Sequence, residues 1–340
     1  MAERSRRMMR KILIFIVIII VATAIMTVWA WRDYDRFANS PLIESGTARI
    51  WIGPGDTLGS LVATLNQLGL TAPGWHWRFL GRMEQPVIKA GEYRLRPGES
   101  PIDLVTRLDR GDVVRHSFTI VEGWNLARLR NELARDSRLS SAVADLAPEA
   151  LMHRLGCADC FAEGWFLPET YQFVRGDSDL DLLARAHRGM RTALAAAWDA
   201  RASGIPIETP EELLVLASLV ELEAVVAEER ARVAGVFVRR LNRGMRLQTD
   251  PTVVYGITGD FDGRIRRVHL RTDHPWNTYT RHGLPPTPIA LPGRASILAA
   301  ADPADGEALY FVARGDGTHH FSATLAEHNR AVARYILGRE

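Results

Sequence analysis

The chain has 340 residues, 47% of them apolar and 24% charged, enough to bury a sizeable core in two or more domains. Its net charge is +2, and its basic residues are almost all arginine, with Lys11 and Lys89 the two lysines. They do not cluster, so composition gives no basis for a nucleic-acid footprint. The two cysteines, Cys157 and Cys160, have no further ligands at zinc spacing, and sequence leaves open whether they are bonded.

The N-terminus carries Arg4, Arg6, Arg7, Arg10 and Lys11 before an uninterrupted apolar run, Ile12 to Trp31. A helix of that length spans roughly 30 Å, the thickness of a bilayer core. The positive-inside rule places residues 1–11 in the cytoplasm and everything after about residue 32 outside, with Trp29 and Trp31 at the outer interface. A cleaved signal peptide ending at Ala22-Thr23-Ala24 competes with this reading, but the apolar run continues past that site, which favours an uncleaved anchor.

Residues 32–46 read as a short polar connector. After them one pattern recurs: a strand at 48–52, Pro54-Gly55-Asp56-Thr57 as a turn and helix cap, and an amphipathic helix from Leu58 to Leu65. It returns as a strand at 91–95, a turn at Pro97-Gly98-Glu99-Ser100, and a helix over 102–108 with Ser100 as N-cap and Asp103 at N3. A weaker third copy runs from His116 through Glu122-Gly123-Trp124-Asn125 to Leu133. Such small strand–turn–helix units resemble the LysM module, a carbohydrate-binding domain of cell-wall proteins.

From about 136 to 200 the pattern is mostly helical, interrupted by an aromatic segment, 161–173, that is strand-like at its end. Helical periodicity returns over 211–243, with Gly244 as C-cap and Gly235 as a point where two helices divide. Residues 245–294 are rich in Pro, Gly, Thr, Asn and aromatics without a sustained period, which marks a functional connection. A strand at 308–313, a second at 320–322 and a helix over 324–337 close the chain.

The most informative residue is Glu221, set in an otherwise apolar helical run. Its helical face holds Leu214, Ala217, Ser218, Ala224 and Val225, and the small residues leave room for a cleft floor. Ionisation is disfavoured where water is excluded, and a carboxyl that stays protonated near neutral pH suits general-acid chemistry. Glu223 falls on another face, toward Leu216, Leu219, Val220 and Val226. His319, His320, Glu327 and His328 look like a metal cluster on paper and are taken as structural, with no metal or other cofactor expected.

The text around Glu221 carries a longer signal. Leu216-Ala-Ser-Leu-Val-Glu221-Leu-Glu223, Val236 through Gly256, Trp276-Asn-Thr-Tyr279, Gly283-Leu-Pro-Pro286, Tyr310-Phe-Val312, His320-Phe-Ser322 and Glu163-Gly-Trp-Phe-Leu-Pro-Glu-Thr-Tyr171 together resemble the YceG-like (MltG) family of endolytic murein transglycosylases. The similarity covers roughly residues 45–335. One departure is Leu222, where the family commonly has lysine.

The resemblance implies an α+β fold: residues 1–11 cytoplasmic, a transmembrane helix at 12–31, a linker at 32–46, a LysM-like domain at 47–115, and a catalytic domain at 116–340 with a long cleft-lining irregular segment. It implies cleavage of the β-1,4 bond between N-acetylmuramic acid and N-acetylglucosamine in nascent peptidoglycan strands, giving a 1,6-anhydro end. Glu221 would be acid and then base, with Gln248, Tyr255, Asn277 and Tyr279 binding substrate and Tyr255 or Trp276 stacking on sugars. Location would be the inner membrane with the catalytic domain periplasmic, beside cell-wall synthases as partners. The alternatives are a water-using muramidase assisted by Asp250, and a glycan-binding scaffold for synthases.

Overall fold

The computed structural model describes residues 2–257 and 262–338, and the chain falls into two compact units, residues 1–116 and 117–340. Helix accounts for 50% of the chain and strand for 9%, so helices carry both units and each sheet is a two-stranded ribbon.

The first unit opens with α1 (Ala2–Asn39), a single helix long and apolar enough to cross a membrane. The expected connector is therefore helical as far as Asn39. Tyr34 and Ala38 are the reason: both are buried in the unit's core, so the helix is held by packing beyond the apolar run. β1 (Ala48–Ile52) and β2 (Gly91–Leu95) pair antiparallel, with Ile50 opposite Tyr93. Between them lie α2 (Leu58–Gln67) and α3 (Trp75–Glu84), and α4 (Pro101–Arg110) follows. Alternation in the strands and a three-to-four spacing in the helices bring Ile50, Ile52, Leu61, Leu65, Leu80, Tyr93 and Leu104 into one core. Both expected caps form: the Thr57 and Ser100 hydroxyls accept from the N3 amides of Ser60 and Asp103.

The second unit contains β3 (Arg115–Thr119, mostly in this unit) paired with β4 (Thr170–Val174), then the helices α5 (Leu126–Arg135), α6 (Pro148–Arg154) and α7 (Asp179–Asp199). α8 (Pro210–Glu223) is its central element. Thr209 caps it by accepting from the Glu212 amide, Pro210 starts it, and every residue from Leu213 to Val220 is buried. Such a helix must be covered on all sides, and α7, α9 (Arg230–Asn242) and α12 (Arg294–Ala301) pack on it. The close comprises α10 (Asp250–Gly256), α11 (Arg267–Arg271), the antiparallel pair β5 (Tyr310–Ala313) and β6 (His319–Ser322), and α13 (Leu325–Tyr335).

Two expectations change here. The helical run 211–243 divides at Ala224–Glu229, where α8 ends and a 3-10 turn follows, and not at Gly235. Gly235 lies within α9, where a Cβ would sit 2.3 Å from the Ala304 carbonyl oxygen, so it permits close approach of backbone. The small residues of α8 do not floor a cleft either. Ala217, Ser218 and Ala224 are buried, α12 with its several Ala residues packs on α8, and the Ser218 hydroxyl accepts from the Ile289 amide at 3.1 Å. Cys157 and Cys160 are disulfide-bonded.

Because α8 is enclosed, truncating it costs more than truncating its surroundings. Leu219→Ala, at a fully buried position, is expected to lower unfolding free energy by about 2–5 kcal/mol. Leu298→Ala, at an exposed position of α12, is expected to change it by less than about 0.5 kcal/mol. Denaturant titration of the full chain in detergent measures both.

Candidate active site

The last turn of α8 presents two carboxyls in different surroundings. Two residues apart on a helix, Glu221 and Glu223 diverge by about 200°. The Glu221 carboxylate accepts a hydrogen bond from the Gly293 amide at 2.9 Å, at the N-terminus of α12. Arg230 lies 3.9 Å from it and 3.7 Å from Glu122, and also donates to the Ser296 hydroxyl at 3.1 Å. The Glu221 side chain is only 6% exposed, shut in by these partners. Burial, and then the charge of Glu221, push the Glu122 carboxyl up, against the pull of Arg230.

Glu223 points into a cavity of about 350 Å³. Gln248, Asp250, Tyr279, Arg240, Tyr310 and His328 share its wall. Glu223 is partly exposed as a residue, but its carboxyl lies deep among protein atoms. That burial raises its pKa; the Asp250 charge raises it further, while a hydrogen bond from the Thr249 hydroxyl and the nearby His319 lower it. As the last residue of α8 it also meets the negative end of the helix dipole, which disfavours a carboxylate. Burial and the Asp250 charge thus favour the protonated form of a carboxyl at the wall of a polar cavity, a disposition that suits general-acid chemistry.

The irregular segment builds the rest of the wall. Gln248 has φ 51°, a left-handed conformation that costs a non-glycine residue about 1–2 kcal/mol. It stands between the buried residues Leu247 and Thr249, and its amide bonds the Thr278 carbonyl at 3.2 Å. Thr249, Thr252 and Thr278 form a buried hydroxyl and amide network that fixes α10 against the loop at 278. The Tyr279 hydroxyl donates to Asp250 at 2.6 Å, and burial raises its pKa. Arg240 is buried, donating to the carbonyls of Leu309 and Leu247 at 2.7 Å each, with its guanidinium 5.0 Å from the Tyr310 ring.

Of the residues expected to act on substrate, the structure brings Gln248 and Tyr279 together with Glu223 and leaves Glu221 apart. Tyr255 lines the adjoining groove beside Trp276, ring centroids 5.4 Å apart. Asn277 is fully buried and its amide is consumed: it donates to the Thr272 carbonyl at 2.7 Å and accepts from the Tyr279 amide at 2.9 Å. It shapes the loop and does not reach the cavity. His319 bonds Glu229 at 2.8 Å and His328 stacks on Tyr310, and among the described residues no His, Cys, Asp and Glu group has metal-holding geometry.

Helix phase puts Glu223 on a buried face, whereas the structure places its carboxyl at the cavity wall. That face ends with the helix: Ala224 leaves helical geometry, so the side chain emerges beyond the last turn into the cavity. Removing the Thr249 hydroxyl removes a group that favours the carboxylate. Thr249→Val is therefore expected to raise the Glu223 midpoint in a carboxyl-carbon NMR titration, with Thr280→Val leaving it in place.

A family model described as the YceG-like family matches residues 50–334. An endolytic murein transglycosylase of Bacillus subtilis is 32% identical over 268 residues, covering 74% of each chain. One of Streptococcus pneumoniae is 27% identical and aligns with 95% of this chain and 65% of its own length. The crystal structure of a YceG-like protein from Listeria monocytogenes superposes with a TM-score of 0.54 at 25% identity, covering 84% of this chain and 98% of that one.

Proposed function

The chain belongs to the YceG-like family, and from that premise we infer that it cleaves peptidoglycan strands as an endolytic lytic transglycosylase with Glu223 as its acid and base. The observation that carries the residue assignment is the desolvated Glu223 carboxyl in the cavity it shares with Gln248, Asp250 and Tyr279. Glu221 is better explained as a clamp between α8 and the start of α12.

Glu223, protonated, donates to the oxygen bridging muramic acid and N-acetylglucosamine as the muramyl ring takes on oxocarbenium character. The carboxylate left behind accepts the proton of the muramyl C6 hydroxyl, whose oxygen bonds to C1. The bridging C–O bond is broken, a 1,6-anhydro ring is formed, and Glu223 regains its proton. The nucleophile is tethered to the substrate, so positioning replaces the second carboxylate that hydrolases use. Gln248 supports recognition of acetamido or hydroxyl groups from its strained backbone position.

A second reading has one observation in its favour: Asp250 shares the cavity, where it could position a water for a muramidase. The Tyr279 hydroxyl donates to one of the two Asp250 oxygens and ties that oxygen to the wall. Products separate the two, because the anhydro end is one water lighter than the hydrolysed one.

The outer parts of the chain extend the reading. α1 supports an inner-membrane anchor with residues 1–11 cytoplasmic and the rest periplasmic, because its basic residues precede the apolar run. The antiparallel β1 and β2 enclosing α2 and α3 support a LysM-like glycan-binding unit at 47–115, ahead of the catalytic domain at 116–340. Anchored in this way the enzyme would act on nascent strands beside the synthases that extend them.

Glu223→Gln is expected to reduce kcat by more than about 100-fold, whereas Glu221→Gln is expected to retain turnover and lose stability by about 1–2 kcal/mol. Mass spectrometry of digested glycan, paired with denaturant titration, reads both; the reverse pattern would return the acid to Glu221. The active form is protonated, so activity is expected to fall as pH rises through the raised Glu223 pKa, and Thr249→Val to move that alkaline limb upward.

A further inference from the structure

The cavity at Glu223 continues. It shares Asp250 with a groove of about 550 Å³ lined by Asn125, Leu222, Val254 and Tyr255. That groove shares Tyr255 with a further cavity of about 350 Å³. Asp250 and Tyr255 begin and nearly end α10, so the step between the two outer cavities is roughly 7.5 Å of helical rise.

The far cavity has its own chemistry. Its wall holds three carboxylates, Glu149, Asp159 and Glu163, and three aromatic rings, Phe161, Tyr255 and Trp276. Among the described residues no Lys, Arg or His lines it. Glu163 is 9% exposed. Its carboxylate accepts from the Leu126 amide at 2.9 and 3.2 Å and from the Tyr255 hydroxyl at 3.2 Å, and neither donor is cationic. Buried carboxylates are ordinarily paired with a positive charge, because neutral donors recover only part of the lost hydration. Burial accordingly lifts the Glu163 pKa to about 7, with the bonds from Leu126, Tyr255 and Gly164 opposing it. Trp276 is pinned by its bond to the Thr287 hydroxyl at 2.9 Å, which fixes the ring beside Tyr255.

A desolvated anion beside fixed aromatic rings is the recognition chemistry of an ammonium group. We propose that this cavity is a subsite for the primary ammonium group of a peptide stem carried by the strand whose sugars lie at Glu223. The inference rests on the transglycosylase reading, since the muramyl units of peptidoglycan bear stems that contain a diamino residue with a free amine. Glu163 supplies the buried counter-charge, Trp276 and Tyr255 supply ring faces, and Glu149 on α6 and Asp159 beside the disulfide attract the cation at the mouth. The charged or titratable groups facing Glu163 are thus Tyr255 from α10, Glu149 from α6 and Asp159 from the 157–160 loop. Binding requires the Glu163 carboxylate, so the contribution disappears as pH falls through about 7.

The test uses the full chain in detergent and three substrates: strands with free-amine stems, the same strands N-acetylated on that amine, and strands stripped of stems. At pH 8 the wild type is expected to cleave the free-amine strand with kcat/KM about tenfold above the acetylated one, mostly through KM, as one charge-assisted contact provides. At pH 6 the ratio is expected to shrink. Glu163→Gln, which keeps an acceptor of the same shape, is expected to bring the ratio near one. Glu149→Gln with Asp159→Asn, both at exposed positions, is expected to lower it partway and remove its salt dependence. Equal rates on free and acetylated strands in the wild type, or discrimination retained in Glu163→Gln, would overturn the proposal. Cleavage of none of the three would instead sink the transglycosylase reading.

Discussion

The structure depends on one constraint: α8 is apolar through Val220, must be covered on every side, and ends immediately after Glu223. Coverage by α7, α9 and α12 fixes the helix axis and its rotation. Once those are fixed, the 3.6-residue turn dictates where the two carboxyls of the final turn go. One is delivered to the N-terminus of α12, where amide donors and Arg230 compensate its charge. The other is delivered past the helix end, where among the described residues no Arg or Lys forms an ion pair with it and its helix's own dipole opposes ionisation. Two chemically identical residues thus receive opposite electrostatics from the end of one helix and the start of another.

The same logic explains why the cavity wall is irregular. Regular elements satisfy their backbone groups internally, leaving few of them to hold a neighbouring loop in place. Between 245 and 294 the chain instead uses buried threonine hydroxyls, the Asn277 amide and the Arg240 guanidinium to satisfy loop carbonyls and amides. Those groups occupy positions that a sheet or helix would fill with backbone partners. The result holds Gln248 in a left-handed conformation that the chain would not adopt alone.

Much of this was legible in the sequence, and the remainder was hidden for identifiable reasons. The strands at 48–52 and 91–95 and the caps at Thr57 and Ser100 are local signals, and all of them form. The helix α3 was hidden because Trp75-His76-Trp77-Arg78-Phe79 alternates apolar and polar residues with the period of a strand. α12 was hidden because an eight-residue helix with Ile297 and Leu298 adjacent among Ala and Ser shows no repeating hydrophobic stripe, although its small residues let it approach α8 closely. Gly235 looked like a break and is a contact, since sequence does not reveal that Ala304 lies against it. Asn277 looked like a ligand-binding amide and is a loop tie, a distinction that only its partners make.

Glu223 shows where periodicity stops being informative. A helical wheel assumes that the helix continues, and on that assumption Glu223 is buried against Leu219 and Val220 while Glu221 faces small residues. Termination at Ala224 reverses the inference, because a side chain on the last turn is covered only from one end. Termination also explains why Thr249 can reach Glu223 from 26 residues away, at the point where the next turn would otherwise stand. Asp250 follows Thr249 into the same cavity, where the Tyr279 hydroxyl ties one of its two oxygens to the wall. Its charge then acts on Glu223 through space, raising the pKa of the carboxyl it adjoins. On the proposed reading one carboxyl handles the proton and the substrate carries its own nucleophile, so positioning takes the place of a second carboxylate.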